Sequence, residues 1–163
     1  MRKTWINALL ALIVPAAGFG AQAYRSERMD KLYQCEVPEG WTERALEAPE
    51  KGAAYSSGLL RIKAARHAGK TPEAYLAGLS RKPKKAGSVK VAGKTADLWT
   101  LRYETRPRGA AREYVYEELV LLPDKQGFWE LKFTSASRMY RETPRGLEAW
   151  KRFLASFKPE IQP

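Results

Sequence analysis

The sequence predicts an α+β domain, a mostly antiparallel β-sheet flanked by helices. Three observations carry this expectation. Short segments alternate apolar and polar residues between tight-turn residues, which is how antiparallel strands with one buried face read. Thr71-Pro72-Glu73 and Thr143-Pro144 each mark a helix start. The second helix carries Leu147, Trp150, Phe153, Leu154 and Phe157 on one stripe, a face that must pack against a sheet.

Taken in order, Tyr33, Cys35 and Val37 alternate with Gln34 and Glu36 and predict a first strand, closed by Pro38-Glu39-Gly40. Residues 53–57 and 59–65 predict two strands around Gly58. In the second, Leu60, Ile62 and Ala64 face one way and Arg61 and Lys63 the other. At Thr71-Pro72-Glu73, Thr caps free amides, Pro fits the first helical position and Glu meets the positive end of the dipole. Tyr75, Leu76 and Leu79 give this helix its apolar stripe. Residues 81–87 are expected as a loop. Residues 88–91 form a short strand, turned by Ala92-Gly93-Lys94 into a long strand over 95–104. The loop 105–112, a strand over 113–122, a hairpin turn at 123–127 and a strand over 128–135 follow, the last with Trp129, Leu131 and Phe133 on one face. Residues 136–142 show no clear period. The closing helix, capped like the first, ends at Pro159.

Residues 1–23 predict a secretory signal peptide. Arg2 and Lys3 give a positive start, an apolar stretch follows, and Ala21-Gln22-Ala23 supplies the small-x-small cleavage pattern. The competing reading is a membrane anchor, but the apolar stretch falls short of the ~20 residues a spanning helix needs, and Pro15, Gly18 and Gly20 break its end. No Cys stands at the cleavage point, which argues against a bacterial lipoprotein anchor. Residues 24–163 then form a single domain, exported to a periplasmic or extracellular location, with no transmembrane span once the signal is removed.

The residues that chemistry would need are scarce. One Cys excludes an internal disulfide, and Cys35 with His67 cannot build a multi-ligand zinc site. A nucleophilic triad would have to use His67, in Ala65-Arg66-His67-Ala68-Gly69-Lys70; no Gly-x-Ser-x-Gly elbow exists, and His67 is expected as a solvent-exposed loop residue. Cys35 reads as a buried apolar filler, against the sharper alternative of an intermolecular disulfide. Glu117 and Glu118 are adjacent in a strand and point to opposite faces, so they cannot act as a catalytic pair. No phosphate-binding Gly loop occurs. Trp41, Trp99, Trp129 and Trp150 read as core more simply than as a ligand pocket. No cofactor, metal or catalytic residue is assigned.

Charge is the uneven feature. Lys and Arg number 29 against 18 Asp and Glu, a net +11 that falls to +9 without Arg2 and Lys3. Residues 61–112 hold fourteen basic and three acidic side chains, whereas residues 24–60 hold five and seven, and residues 113–163 eight of each. Such a run reads either as a solvated face or as a surface for an anionic partner. Hairpins at Ala92-Gly93-Lys94 and at 123–127 would bring Arg81, Lys82, Lys84, Lys85, Arg106, Arg108, Arg112, Arg138 and Arg141 to one end of the sheet. No acidic residue lies within 81–87 or 105–112 to neutralise them. Nucleic acid fits the charge, but export argues against it in ordinary cells. Anionic lipid, lipopolysaccharide, acidic glycan or an acidic envelope protein fits better.

The order of elements resembles the PsbP-like family. Val37-Pro38-Glu39-Gly40-Trp41 is similar to that family's opening, as is the helix after Thr71-Pro72-Glu73. Val91-Ala92-Gly93-Lys94-Thr95-Ala96 resembles the entry to its long hairpin, and the closing helix ending in Phe153 and Phe157 is also similar. The resemblance spans roughly residues 30–158. It implies an α-β-α sandwich, a sheet flanked by helices, and kinship with an extrinsic photosystem II subunit, DcrB-like bacterial envelope proteins and a nuclear Ran-binding import factor. None is recognised chiefly as an enzyme. The metal sites proposed for the photosynthetic subunit use histidines; only His67 is present here, so none is carried over.

The sequence therefore predicts a non-enzymatic, exported PsbP-like binding domain of the bacterial envelope. The alternative is a small-ligand or lipid carrier with a pocket between sheet and helix. A pocket lined by Trp and Tyr with few charges would favour the carrier, and a flat basic end the binding domain.

Overall fold

The computed structural model describes residues 22–29, 31–106, 108–109, 111–139 and 143–160. Residues 1–21 of the predicted signal peptide, and Arg141, lie outside the described residues. Twelve elements follow in order: β1 (Tyr24–Met29), β2 (Tyr33–Pro38), β3 (Thr42–Ala45), β4 (Lys51–Ser57), β5 (Leu60–Ala68), α1 (Pro72–Gly78), β6 (Lys84–Val91), β7 (Lys94–Thr105), β8 (Glu113–Asp124), β9 (Gly127–Ser137), α2 (Pro144–Ser156) and β10 (Lys158–Pro159). This is an α+β domain built mostly of antiparallel sheet. Among the described residues, no helix is long and apolar enough to cross a membrane.

Seven strands form the main sheet in the order β3-β4-β5-β9-β8-β7-β6, and every pairing is antiparallel. The long hairpins are set by turn chemistry. Ala92 and Gly93 both adopt positive φ (50° and 75°), the conformation of a tight two-residue hairpin that Gly reaches without a Cβ clash. At Gly127 a Cβ would fall 1.9 Å from the His67 carbonyl oxygen, so only glycine allows β9 to start this close to β5.

Alternation then sorts the side chains. One face carries Tyr55, Ile62, Val120, Leu122, Trp129, Leu131 and Phe133, all buried. Trp150, Phe153, Leu154 and Phe157 of the α2 segment cover it, beside a three-stranded sheet ordered β1-β2-β10. Tyr33 joins the layers: its ring lies 5.4 Å from Trp129 and 5.2 Å from Phe157, and its hydroxyl is 3.0 Å from that of Tyr55. The opposite face carries Trp99, Leu119, Leu121 and Phe128, over which α1 lays Tyr75, Leu76 and Leu79. The two helices thus lie on opposite faces of the main sheet.

Four local expectations need correction. β1 and β3 carry no strand signal in the sequence: β1 mixes charge and apolar residues without clean alternation, and β3 is exposed throughout. Residues 84–87 belong to β6 rather than to a loop, with a register shift between Lys85 and Gly87 absorbing the irregularity. His67 lies inside β5, not in a loop after it. Thr71 caps α1 by accepting from the Ala74 amide at 3.2 Å, but Thr143 makes no such bond at α2; its hydroxyl lies 3.4 Å from that of Ser135.

Candidate functional site

The register assembles the basic end. Val91 pairs with Lys94 and Lys84 with Thr100, so β6 runs from the segment 81–83 toward the Ala92-Gly93 turn and β7 runs back. Thr105 pairs with Glu113 across the next loop, and Tyr114 with Ser137. The residues 81–83 before β6, the loop 106–112 and Arg138 therefore lie toward the same end of the sheet, whereas Lys84 and Lys85, opposite Thr100 and Trp99, stand midway along β7 and correct the expectation that they join that end.

The positions differ in how their charge is used. The Arg81 guanidinium sits 4.5 Å from the Tyr103 ring centre, a cation–π contact that fixes the segment before β6. Lys82 donates to the carbonyls of Leu76 and Ala77 at the end of α1, where a cation meets unpaired helix carbonyls. Lys85 pairs with Asp97 at 2.8 Å and Arg112 with Glu104 at 3.3 Å. These pairs correct the expectation that nothing neutralises the two loops: the neighbouring strand supplies the acids, as cross-strand and diagonal neighbours in a sheet can. Lys84, Arg106, Arg108 and Arg138 are exposed and have no hydrogen-bond or ion-pair partner among the described residues.

Beside this end a groove of about 220 Å³ opens between α1 and the β7–β8 strands. Tyr75, Leu79, Trp99 and Tyr103 line it with Arg81, Glu117 and Lys132. Tyr103 donates to Glu117 at 3.2 Å. Trp99 thus lines a pocket, whereas Trp41, Trp129 and Trp150 are core. The groove is smaller than the ~300–1,000 Å³ typical of small-molecule sites, and three charged residues interrupt its aromatic wall.

A third feature was not visible in the sequence. Ala65 pairs with Glu130, which places Glu130 on the face under α1, 1% exposed. His67 Nε2 lies 2.8 Å from Glu130 Oε2, and Lys63 Nζ bridges Glu130 at 3.2 Å and Glu50 at 2.7 Å. Lys132 approaches the other carboxylate oxygen at 3.6 Å. His67 also stacks on Phe128 with ring centres 4.8 Å apart and is 10% exposed, which corrects its expected position in solvent. Burial by itself would raise the Glu130 pKa; the hydrogen bond from His67 and the charges of Lys63 and Lys132 overcome it and hold the carboxyl at about 2.

Glu50, His67 and Glu130 offer ligand atoms within 4.8 Å of one another, a spacing suited to a metal ion. The Lys63 ammonium already stands between the two carboxylates and supplies the positive charge there. The arrangement reads as an internally neutralised network that ties β5 and β9 to Glu50, just before β4. Cys35 is 3% exposed and lies in the small sheet on the other side of the main sheet, so it cannot meet His67. Burial pushes its thiol up to about 12. A scan against protein-family models finds none that matches this chain, and no curated protein matches it.

Proposed function

We propose that the chain is an exported, non-enzymatic PsbP-like domain whose basic end binds an anionic partner in the bacterial cell envelope. The observation that carries this reading is the convergence, on one end of the sheet, of Arg106, Arg108 and Arg138, three exposed cations without partners among the described residues, with the equally exposed Lys84 further along the same sheet. Unpaired cations held at one end focus positive potential and speed encounter with an anion. Export rests on the signal-peptide pattern, and the family on the resemblance of its short motifs. Fold does not carry function, so the argument stands on the charge. The small, charge-interrupted groove under α1 gives little support to the alternative, a small-ligand or lipid carrier.

The test uses chain 24–163 with Lys84, Arg106, Arg108 and Arg138 all changed to Glu. Binding to immobilised heparin and to an envelope extract at low salt should fall by roughly a hundredfold or more, since each basic residue near an anionic surface contributes about 1 kcal/mol. Circular dichroism should be unchanged, because these side chains make no contacts that hold the fold. Wild-type-like binding by this variant would show that the charge is merely solvated.

A further inference from the structure

Among the described residues, the two exposed large hydrophobic side chains lie at the same end as Arg106, Arg108 and Arg138. Leu59 is 54% exposed and Met139 62% exposed. Leu59 sits in the β4–β5 turn, where its carbonyl accepts from the Ala136 amide at 3.1 Å. Met139 follows β9, three residues beyond Ala136 and next to Arg138. At about 3.3 Å per residue, their backbones are within roughly 10 Å of each other.

The register extends the patch. Leu60 pairs with Ser135, Tyr114 with Ser137 and Thr105 with Glu113, so the Leu59 turn, Met139 and the 106–112 loop are consecutive features along one edge of the main sheet. From β5 to β7 is three strand spacings, about 15 Å. Arg145 adds a further exposed cation, since the adjacent Gly146 packs against the Leu60 side chain at the start of α2. The acidic groups at this end of β7 and β8 are Glu104, held by Arg112, and the half-buried Glu113.

Exposed apolar side chains set beside exposed cations are the composition of a surface that sits on an anionic bilayer. Charge alone would serve any polyanion. A leucine in the β4–β5 turn and a methionine just past β9 have no use against a soluble glycan, but they gain by leaving water for the acyl boundary.

We propose that this end is a peripheral membrane-binding face: Leu59 and Met139 insert at the headgroup–acyl boundary of an anionic lipid bilayer while Arg106, Arg108 and Arg138 contact its headgroups. The proposal rests on the basic-end reading above and names its partner as a lipid surface. Screening follows: binding weakens as salt rises, and the apolar part of it persists.

The experiment compares three forms of chain 24–163: wild type, Leu59→Ser with Met139→Ser, and the four-fold charge reversal. Each is tested on phosphatidylcholine vesicles with and without phosphatidylglycerol, and on heparin. Wild type should co-sediment with the anionic vesicles and not with pure phosphatidylcholine. The double serine variant should bind heparin as wild type does and lose at least about tenfold in partition to anionic vesicles, from the apolar area no longer buried. Its far-UV spectrum should match wild type, because both side chains are largely outside the core. Equal vesicle binding by wild type and the double variant overturns the insertion. So does a wild type that binds heparin and ignores anionic vesicles, which points instead to a glycan or protein partner. Undiminished binding by the charge reversal overturns the basic-end reading itself.

Discussion

Glu130 is the residue whose loss the molecule should feel most. A carboxylate taken out of water in this way stands only because His67, Lys63 and Lys132 surround it. Its folded pKa of about 2 is below the ordinary value near 4.3. The depressed value fixes the sign: the stabilisation is fully present above about pH 4.5 and is lost as pH falls through about 2. It amounts to on the order of 3 kcal/mol. Urea denaturation should therefore show the wild type losing stability between pH 6 and pH 3 by clearly more than Glu130→Gln, which is already destabilised by about 3–5 kcal/mol at neutral pH. Parallel pH profiles for the two proteins would remove Glu130 as the acid-sensitive group. The sequence hid this network for a definite reason. Glu130 alternates with Trp129 and Leu131, so the strand pattern assigns it to the polar face, and only the Ala65–Glu130 register under α1 buries it. The place of His67 inside β5 is illegible in the sequence because the basic, glycine-ended run around it reads as a loop.

At the scale of elements, what could be read was what burial requires. The α2 stripe has no stable alternative to covering a sheet, and Trp150, Phe153 and Leu154 are buried as their spacing implies. Trp150 does more than fill space: its indole N–H donates to Glu118 Oε2 at 2.7 Å, while the adjacent Glu117 faces Tyr103 on the other side. Trp150→Ala should cost about 3–5 kcal/mol in chemical denaturation, the range for a large buried aromatic, at the upper end because Glu118 loses its donor. Lys151→Ala, on the exposed face, should stay within roughly 0.5 kcal/mol. Equal small effects would mean that α2 is not core. β1 and β3 were illegible because neither is held by its own apolar pattern. β1 is held along its whole length by backbone pairing to β2, from Tyr24 opposite Pro38 to Met29 opposite Tyr33, and backbone pairing leaves no signature in side-chain type. β3 edges the main sheet with four exposed side chains.

At the scale of the whole molecule, the hairpin order was legible because turn residues fix strand direction, and direction alone settles which loops share an end. The neutralisation of Lys85 and Arg112 was not, since Asp97 and Glu104 reach them across strands. The same scale decides what residues 1–23 contribute. A chain beginning at Tyr24 retains β1 through β10 and both helices, and among the described contacts it gives up the Ala23 carbonyl's bond to the Glu39 amide at 2.9 Å. One backbone hydrogen bond contributes about 0.5–1.5 kcal/mol net. Chain 24–163 should therefore fold by itself as one cooperative unit, because β2 is clasped by β1 and β10 and packs through Tyr33 onto Trp129 and Phe157, tying the first and last elements to the main sheet. Unfolding curves from far-UV circular dichroism and tryptophan fluorescence should coincide for this chain. Mass spectrometry of the product recovered after export should show Tyr24 at the N-terminus. A membrane-embedded product with intact Met1, or a 24–163 chain whose two unfolding curves separate, would show that the first 23 residues belong to the working protein.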